Sequence, residues 1–193
     1  MSIRFGALIA LLFLSACGST NNSAPRNLDN ACSIAQQRPN YVPAMQRSER
    51  KWGVPVAVQM ATIYQESKFI PNAKPPRKRF LIFSGPRASS AKGYSQALDG
   101  TWDDYRRATG SRLASRTNIY DAADFMGWYM AKSRDVLGIP LNDARRQYLA
   151  YHEGRGGYSR GSYNSKRWLL DVSAAVATRA AMYDRQLRSC SLI

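Results

Sequence analysis

Glu66 is the residue of this chain best placed to do proton chemistry. It stands near the end of the run Ala61-Thr62-Ile63-Tyr64-Gln65-Glu66-Ser67-Lys68-Phe69. Val56, Met60 and Ile63 precede it at i, i+4, i+7 spacing, which makes them one apolar stripe of a helix. Glu66 follows Ile63 by three residues and so lies at the edge of that stripe. Apolar surroundings disfavour a carboxylate and raise its pKa. A carboxyl group raised in this way keeps its proton near neutral pH and can give it to a leaving oxygen. The bland alternative is a glutamate on a solvated last turn, where most glutamates are found. Metal chemistry has no comparable footing, because the chain has a single histidine and no two cysteines at metal-ligand spacing. Gly154 to Gly161 is glycine-rich but lacks a Gly-Lys-Ser/Thr ending and a preceding strand, so it is not a phosphate loop. No cofactor or metal site is expected.

Two further motifs follow Glu66 in order. The first is Gly93-Tyr94-Ser95-Gln96, with Thr101-Trp102 after it. The second is Tyr148-Leu149-Ala150-Tyr151-His152-Glu153-Gly154. With the Glu66 run, this ordered set resembles the goose-type-lysozyme-like lytic transglycosylases (the SLT family), over roughly residues 44 to 165. The resemblance implies a lysozyme-like helical fold and cleavage of the MurNAc–GlcNAc β-1,4 linkage of peptidoglycan. In that family one glutamate protonates the bridge oxygen and then takes the proton of the sugar's own 6-hydroxyl, which closes a 1,6-anhydro ring. Carried onto this chain, the roles of catalytic acid/base and its orienting tyrosine fall to Glu66 and Tyr151. Substrate contacts fall to Ser67, Tyr94, Ser95, Gln96 and His152. Gln96 would hydrogen-bond sugar hydroxyls and Tyr94 would stack on a ring face. For both tyrosines core packing with a tethered hydroxyl stays open as the other role.

The motifs depart from the family's usual pattern in three places. Tyr94-Ser95-Gln96 stands where Leu-Met-Gln is typical, and His152-Glu153 stands where Asn-Ala is typical. The segment between the first two motifs is longer, and carries Lys74-Pro75-Pro76-Arg77-Lys78-Arg79 before the apolar Phe80 to Phe83. That basic loop could rim a groove or touch an anionic surface. Glu153 opens a second mechanism. A glutamate facing Glu66 across a groove would allow hydrolysis with two carboxylates, that is, a muramidase. A peptidoglycan-binding lipoprotein with a decayed site is the alternative outside enzymes.

The elements that must position these residues read as helices, so the class is all-α. Apolar spacing and stop signals predict helices from Ala44 to Trp52, from Pro55 to about Pro71, from Thr101 to Ala108 and from Ile119 to Leu137. Two more run from an Asn142 cap to about His152, and from a Ser165 cap to about Arg188. Asn118 with Asp121 caps the helix that starts at Ile119. Gly53, Gly110 and Gly138 supply the stops. One short hairpin is expected around Phe80 to Phe83.

The amino terminus bears on where the protein works. Arg4 followed by Ala7 to Leu14 reads as a secretory signal over residues 1–16, with an apolar run too short to span a bilayer. It ends in Leu14-Ser15-Ala16-Cys17, which resembles a bacterial lipobox with Cys17 as the lipidated residue. In the lipoproteins it resembles, a residue such as Gly18 after the cysteine implies export to the outer membrane, on its periplasmic face. Residues 17–40 read as a polar tether and residues 41–193 as the catalytic domain. Cys32 and Cys190 remain as an even pair in an oxidising compartment, which suggests a disulfide. The formal charge of +15 calls for anionic partners. For an exported protein these are peptidoglycan carboxylates and lipid headgroups rather than nucleic acid. A monomer is expected.

Overall fold

The computed structural model describes residues 22–80 and 83–193. The signal at 1–16 and the lipidation site Cys17 lie outside the described residues. The elements run α1 (Ala31–Gln37), α2 (Tyr41–Trp52), α3 (Val56–Ser67), β1 (Arg77–Phe80), β2 (Phe83–Arg87), α4 (Asp99–Thr109), α5 (Ile119–Leu137), α6 (Ala144–Ser159) and α7 (Arg167–Ser189). A single 3-10 turn, Ser162–Ser165, links α6 to α7. The fold is all-α, with β1 and β2 as one antiparallel hairpin that pairs Arg77 with Arg87 and Phe80 with Phe83.

α3 is the central helix. Val56 to Ile63 is buried without interruption, so this helix meets protein on nearly every side. The stripe Val56, Met60, Ile63 points fully inward. α7 packs along α3 and α6, and α2 packs along α5. The α2–α5 crossing is close at Gly127, where a Cβ would stand 2.3 Å from Ser48 Oγ. Ser48 uses that proximity to donate a 2.7 Å hydrogen bond to the Ala123 carbonyl. A second, aromatic cluster of Trp102, Tyr105, Phe125, Trp128 and Tyr129 joins α4 to α5, with Tyr151 of α6 packed against it.

The folded body begins earlier than residue 41. α1 lies inside the stretch expected to be a tether, yet it buries Ala31 and Ile34 completely. Its order comes from partners far along the chain rather than from local apolar content. Asn30 caps it by accepting from the Ser33 amide at 2.9 Å. Gln186 of α7 accepts from the Ala31 amide and donates to the Asp29 carbonyl, and the Tyr183 hydroxyl donates to the Leu28 carbonyl at 2.6 Å. Cys32 is bridged to Cys190 across a sequence separation of 158. A loop of that length removes unfolded-state entropy worth on the order of 5 kcal/mol in the chain-entropy account.

Two caps differ from expectation. The α6 cap is Asp143 rather than Asn142, with its carboxylate accepting from the Arg146 amide at 2.9 Å. Ser165 falls in the 3-10 turn and caps nothing, because α7 starts only at Arg167. At α5, Asn118 accepts from the Tyr120 and Asp121 amides, while the Asp121 side chain turns back to the Ser115 amide. α6 does not stop at His152. Gly154 breaks its geometry with φ 72 and ψ 156, and the helix resumes to Ser159.

Candidate active site

Glu66 sits on the last turn of α3, in the wall of a cleft of about 420 Å³. The other walls come from the loop before α4 (Gln96, Ala97, Leu98), from Phe125 and Tyr129 of α5, and from Tyr151 to Gly154 of α6. Phe125 and Tyr129 thus bring the edge of the aromatic cluster to the cleft. A larger cleft of about 670 Å³ lies elsewhere, around Arg38, Tyr41 and Tyr94. It holds no carboxylic acid, whereas the smaller one holds two, and acid–base chemistry belongs where the acids are.

The Glu66 carboxyl is pushed up to about 7, chiefly because burial penalises the charged form. A hydrogen bond from the Tyr148 hydroxyl and the nearby Lys68 ammonium pull it back only in part. Two backbone features fix its position. Lys68 and Phe69, immediately after α3, take left-handed conformations (φ 52 and 62), which turns the chain away directly behind the acid. Such geometry is costly for residues other than glycine and is held here by the complete burial of Phe69.

Glu153 is the second carboxylate of the cleft, and its surroundings act in the opposite sense. Lys166 Nζ donates to both of its oxygens at 2.8 Å, and Ser162 Oγ donates to one of them. His152 Nδ1 lies 3.1 Å from the other oxygen. These hydrogen bonds, led by that from Lys166, lower its pKa to about 2 even though only 4% of the side chain is exposed. Glu153 is therefore an ionised, fully engaged group.

The second motif builds the cleft mainly through its backbone. Gly93 (φ 81) passes so close to the next loop that a Cβ would stand 2.0 Å from the Arg116 carbonyl, which only glycine permits. Gln96, also left-handed (φ 48), donates its side-chain amide to the Ala73 and Gly93 carbonyls at 3.1 and 2.8 Å. It lines the cleft while tying the loop to itself. Ser95 is wholly buried, so its hydroxyl is not offered to the cleft; its carbonyl accepts from the Tyr151 hydroxyl at 2.6 Å. Tyr94 is 6% exposed, packs edge-on against Tyr41, and shares a 3.1 Å hydrogen bond with the Tyr41 hydroxyl. Its core-packing role is the one realised; stacking on a substrate ring is not. Ser67 is buried too, and its hydroxyl donates back to the Ile63 carbonyl within α3.

Tyr151 lines the cleft beside Glu66, with its hydroxyl committed to Ser95 rather than to the acid. The hydroxyl that reaches Glu66 is that of Tyr148, three residues earlier on α6. The i, i+3 spacing of Tyr148 and Tyr151 puts both on one helix face, and that spacing was the available signal. Tyr129 and Phe125 belong to the cleft without any sequence motif to mark them; only the aromatic density of α5 hints at them. Of the residues expected at the site, the structure brings Glu66, Gln96, Tyr151 and His152 together at the cleft and leaves Ser67, Tyr94 and the Ser95 side chain out of its lining.

A family model described as the transglycosylase SLT domain matches residues 5–190. No curated protein matches the chain.

Proposed function

The chain belongs to the transglycosylase SLT domain family, typically lytic transglycosylases of peptidoglycan, and from that premise we propose that it cleaves the MurNAc–GlcNAc β-1,4 linkage without water, with Glu66 as the acid and then the base. The observation that carries this reading is the opposed pair of carboxyl groups in one cleft. Glu66, with its pKa near 7, is protonated in a substantial fraction of molecules at neutral pH. It gives that proton to the bridge oxygen as the glycosidic bond breaks. The resulting carboxylate takes the proton of the 6-hydroxyl, whose oxygen bonds to the anomeric carbon. Glu66 ends protonated and the product carries a 1,6-anhydro ring. A hydrolase commonly uses a second carboxylate, free to act as nucleophile or to activate water. Glu153 has its oxygens occupied by Lys166 and Ser162, which supports the water-free route.

Mass spectrometry of the fragments released from purified sacculi tests the proposal. Anhydro-muramyl ends are the expected product. Reducing ends would make the protein a muramidase, and no release would make it a binding protein.

The Leu14-Ser15-Ala16-Cys17 sequence supports attachment by lipid at Cys17 to the periplasmic face of the outer membrane. Among the described residues no helix is long and apolar enough to cross a membrane. Metabolic labelling with a fatty acid should mark the wild type and leave the Cys17→Ser protein unlabelled; equal labelling of both would refute the attachment site.

A further inference from the structure

The chain has four tryptophans, and three of them are well covered or partly covered in the body of the fold. Trp168, at the start of α7, is the exception, with 55% of its surface open. It is not loosely held. Its ring lies edge-on to the His152 imidazole, with centroids 5.2 Å apart and an interplanar angle of 78°. His152 in turn is held by Glu153, and Glu153 by Lys166, two residues before Trp168. The cleft wall formed by His152 and Glu153 therefore continues outward, through fixed contacts, to a flat indole face.

We propose that Trp168 is a platform for a pyranose ring of the glycan strand, at a position outside the bond that is cut. The inference rests on the glycan-cleaving reading above. A pyranose presents a flat array of C–H bonds, and a fixed aromatic face is its natural apolar complement. The edge-on contact with His152 already restricts the indole, which lowers the ordering cost met on binding. Lys166, two residues before Trp168, keeps 40% of its side chain exposed while it holds Glu153, so the chain leading into the indole is polar and open to solvent. A protein partner or a second copy of the chain would use an exposed tryptophan differently, with a wider apolar surround; here the ring contacts His152, and the residues before it in the chain are Lys166 and the exposed Arg167.

The test uses the full chain carrying Glu66→Gln, which removes turnover, with β-1,4-linked N-acetylglucosamine hexamer and dimer as probes. Adding Trp168→Ala should weaken hexamer binding by about tenfold, the loss of one aromatic contact. Dimer binding, confined to the cleft around Glu66, should not change. Trp168→Phe should recover most of the loss, and hexamer should shift the tryptophan emission to the blue only where Trp168 is present. Equal hexamer binding with and without Trp168 would overturn the inference, as would a change of oligomeric state on Trp168→Ala or no hexamer binding at all. Product analysis on sacculi is read independently, so anhydro products with any of these results would leave the catalytic proposal standing and remove only the platform.

Discussion

Two glutamates line one cleft and are driven in opposite directions. Glu66 ends a helix that is buried on nearly every side, meets few charges, and is raised to about 7. Glu153 has little open surface but is far less desolvated, and Lys166, Ser162 and His152 hold it ionised and lower it to about 2. What separates the two is whether hydrogen bonds to the charged form outweigh its desolvation. For Glu66 they do not, because a tyrosine hydroxyl is a weaker partner than an ammonium. The contrast sets a carboxyl held near neutrality beside one locked in its charged form, next to His152 in the cleft wall.

The sharpest way to break the comparison is to exchange the acid. Glu66→Gln should lower cleavage of sacculi by roughly 10²–10⁴-fold, the usual contribution of a general acid. The same change should stabilise the fold at high pH. Between about 4.5 and 7 the native protein holds a proton at Glu66 that the unfolded chain has released, so stability falls as pH rises through that window. The full shift corresponds to at most on the order of 3 kcal/mol. Thermal melts at pH 8 should place Glu66→Gln above the wild type. A variant no more stable than wild type there would mean that the acid is not desolvated.

Glu153→Gln should do the reverse. We expect a loss of about 1–3 kcal/mol, because Lys166 loses its carboxylate. Cleavage should fall far less than for Glu66→Gln. The stabilisation from Glu153 is fully present above the ordinary glutamate value of 4.5 and is lost as pH falls towards about 2. Denaturant melts across pH 2–5 should therefore be flatter for Glu153→Gln than for wild type. A variant that folds normally yet loses all cleavage would instead put Glu153 in the chemistry and revive the hydrolytic mechanism.

Tyr148→Phe sharpens the comparison with a smaller effect. It removes a hydrogen bond that favours the Glu66 carboxylate. The alkaline limb of the pH–rate profile should move to higher pH by up to about one unit, the worth of one such bond. An unmoved limb would show that Tyr148 only packs.

The residues that proved legible in the sequence share a local cause. Helix stripes, glycine stops and the Asn118 cap depend on near neighbours, and Val56, Met60 and Ile63 point inward as their spacing requires. The place of Glu66 at the edge of that stripe followed from the same periodicity. The order of α1 was not legible, because Ala31 and Ile34 are held by Gln186, Tyr183 and the Cys190 bridge, all far along the chain. Tyr94 and Ser95 occupy the positions of groove residues in a motif, but a motif does not state which way a side chain points. Tyr41 captures one and the packing around Tyr151 encloses the other. The fate of Glu153 depended on Lys166 reaching back from the start of α7, which no spacing within α6 announces.

The division between the two glutamates is measured most directly by following their side-chain carboxyl carbons by NMR as pH is varied in the intact protein. The account predicts that the Glu66 carboxyl titrates with a midpoint near 7. It predicts that Glu153 is still ionised below pH 3, with a midpoint near 2. Midpoints for both near the ordinary glutamate value of 4.5 would contradict it.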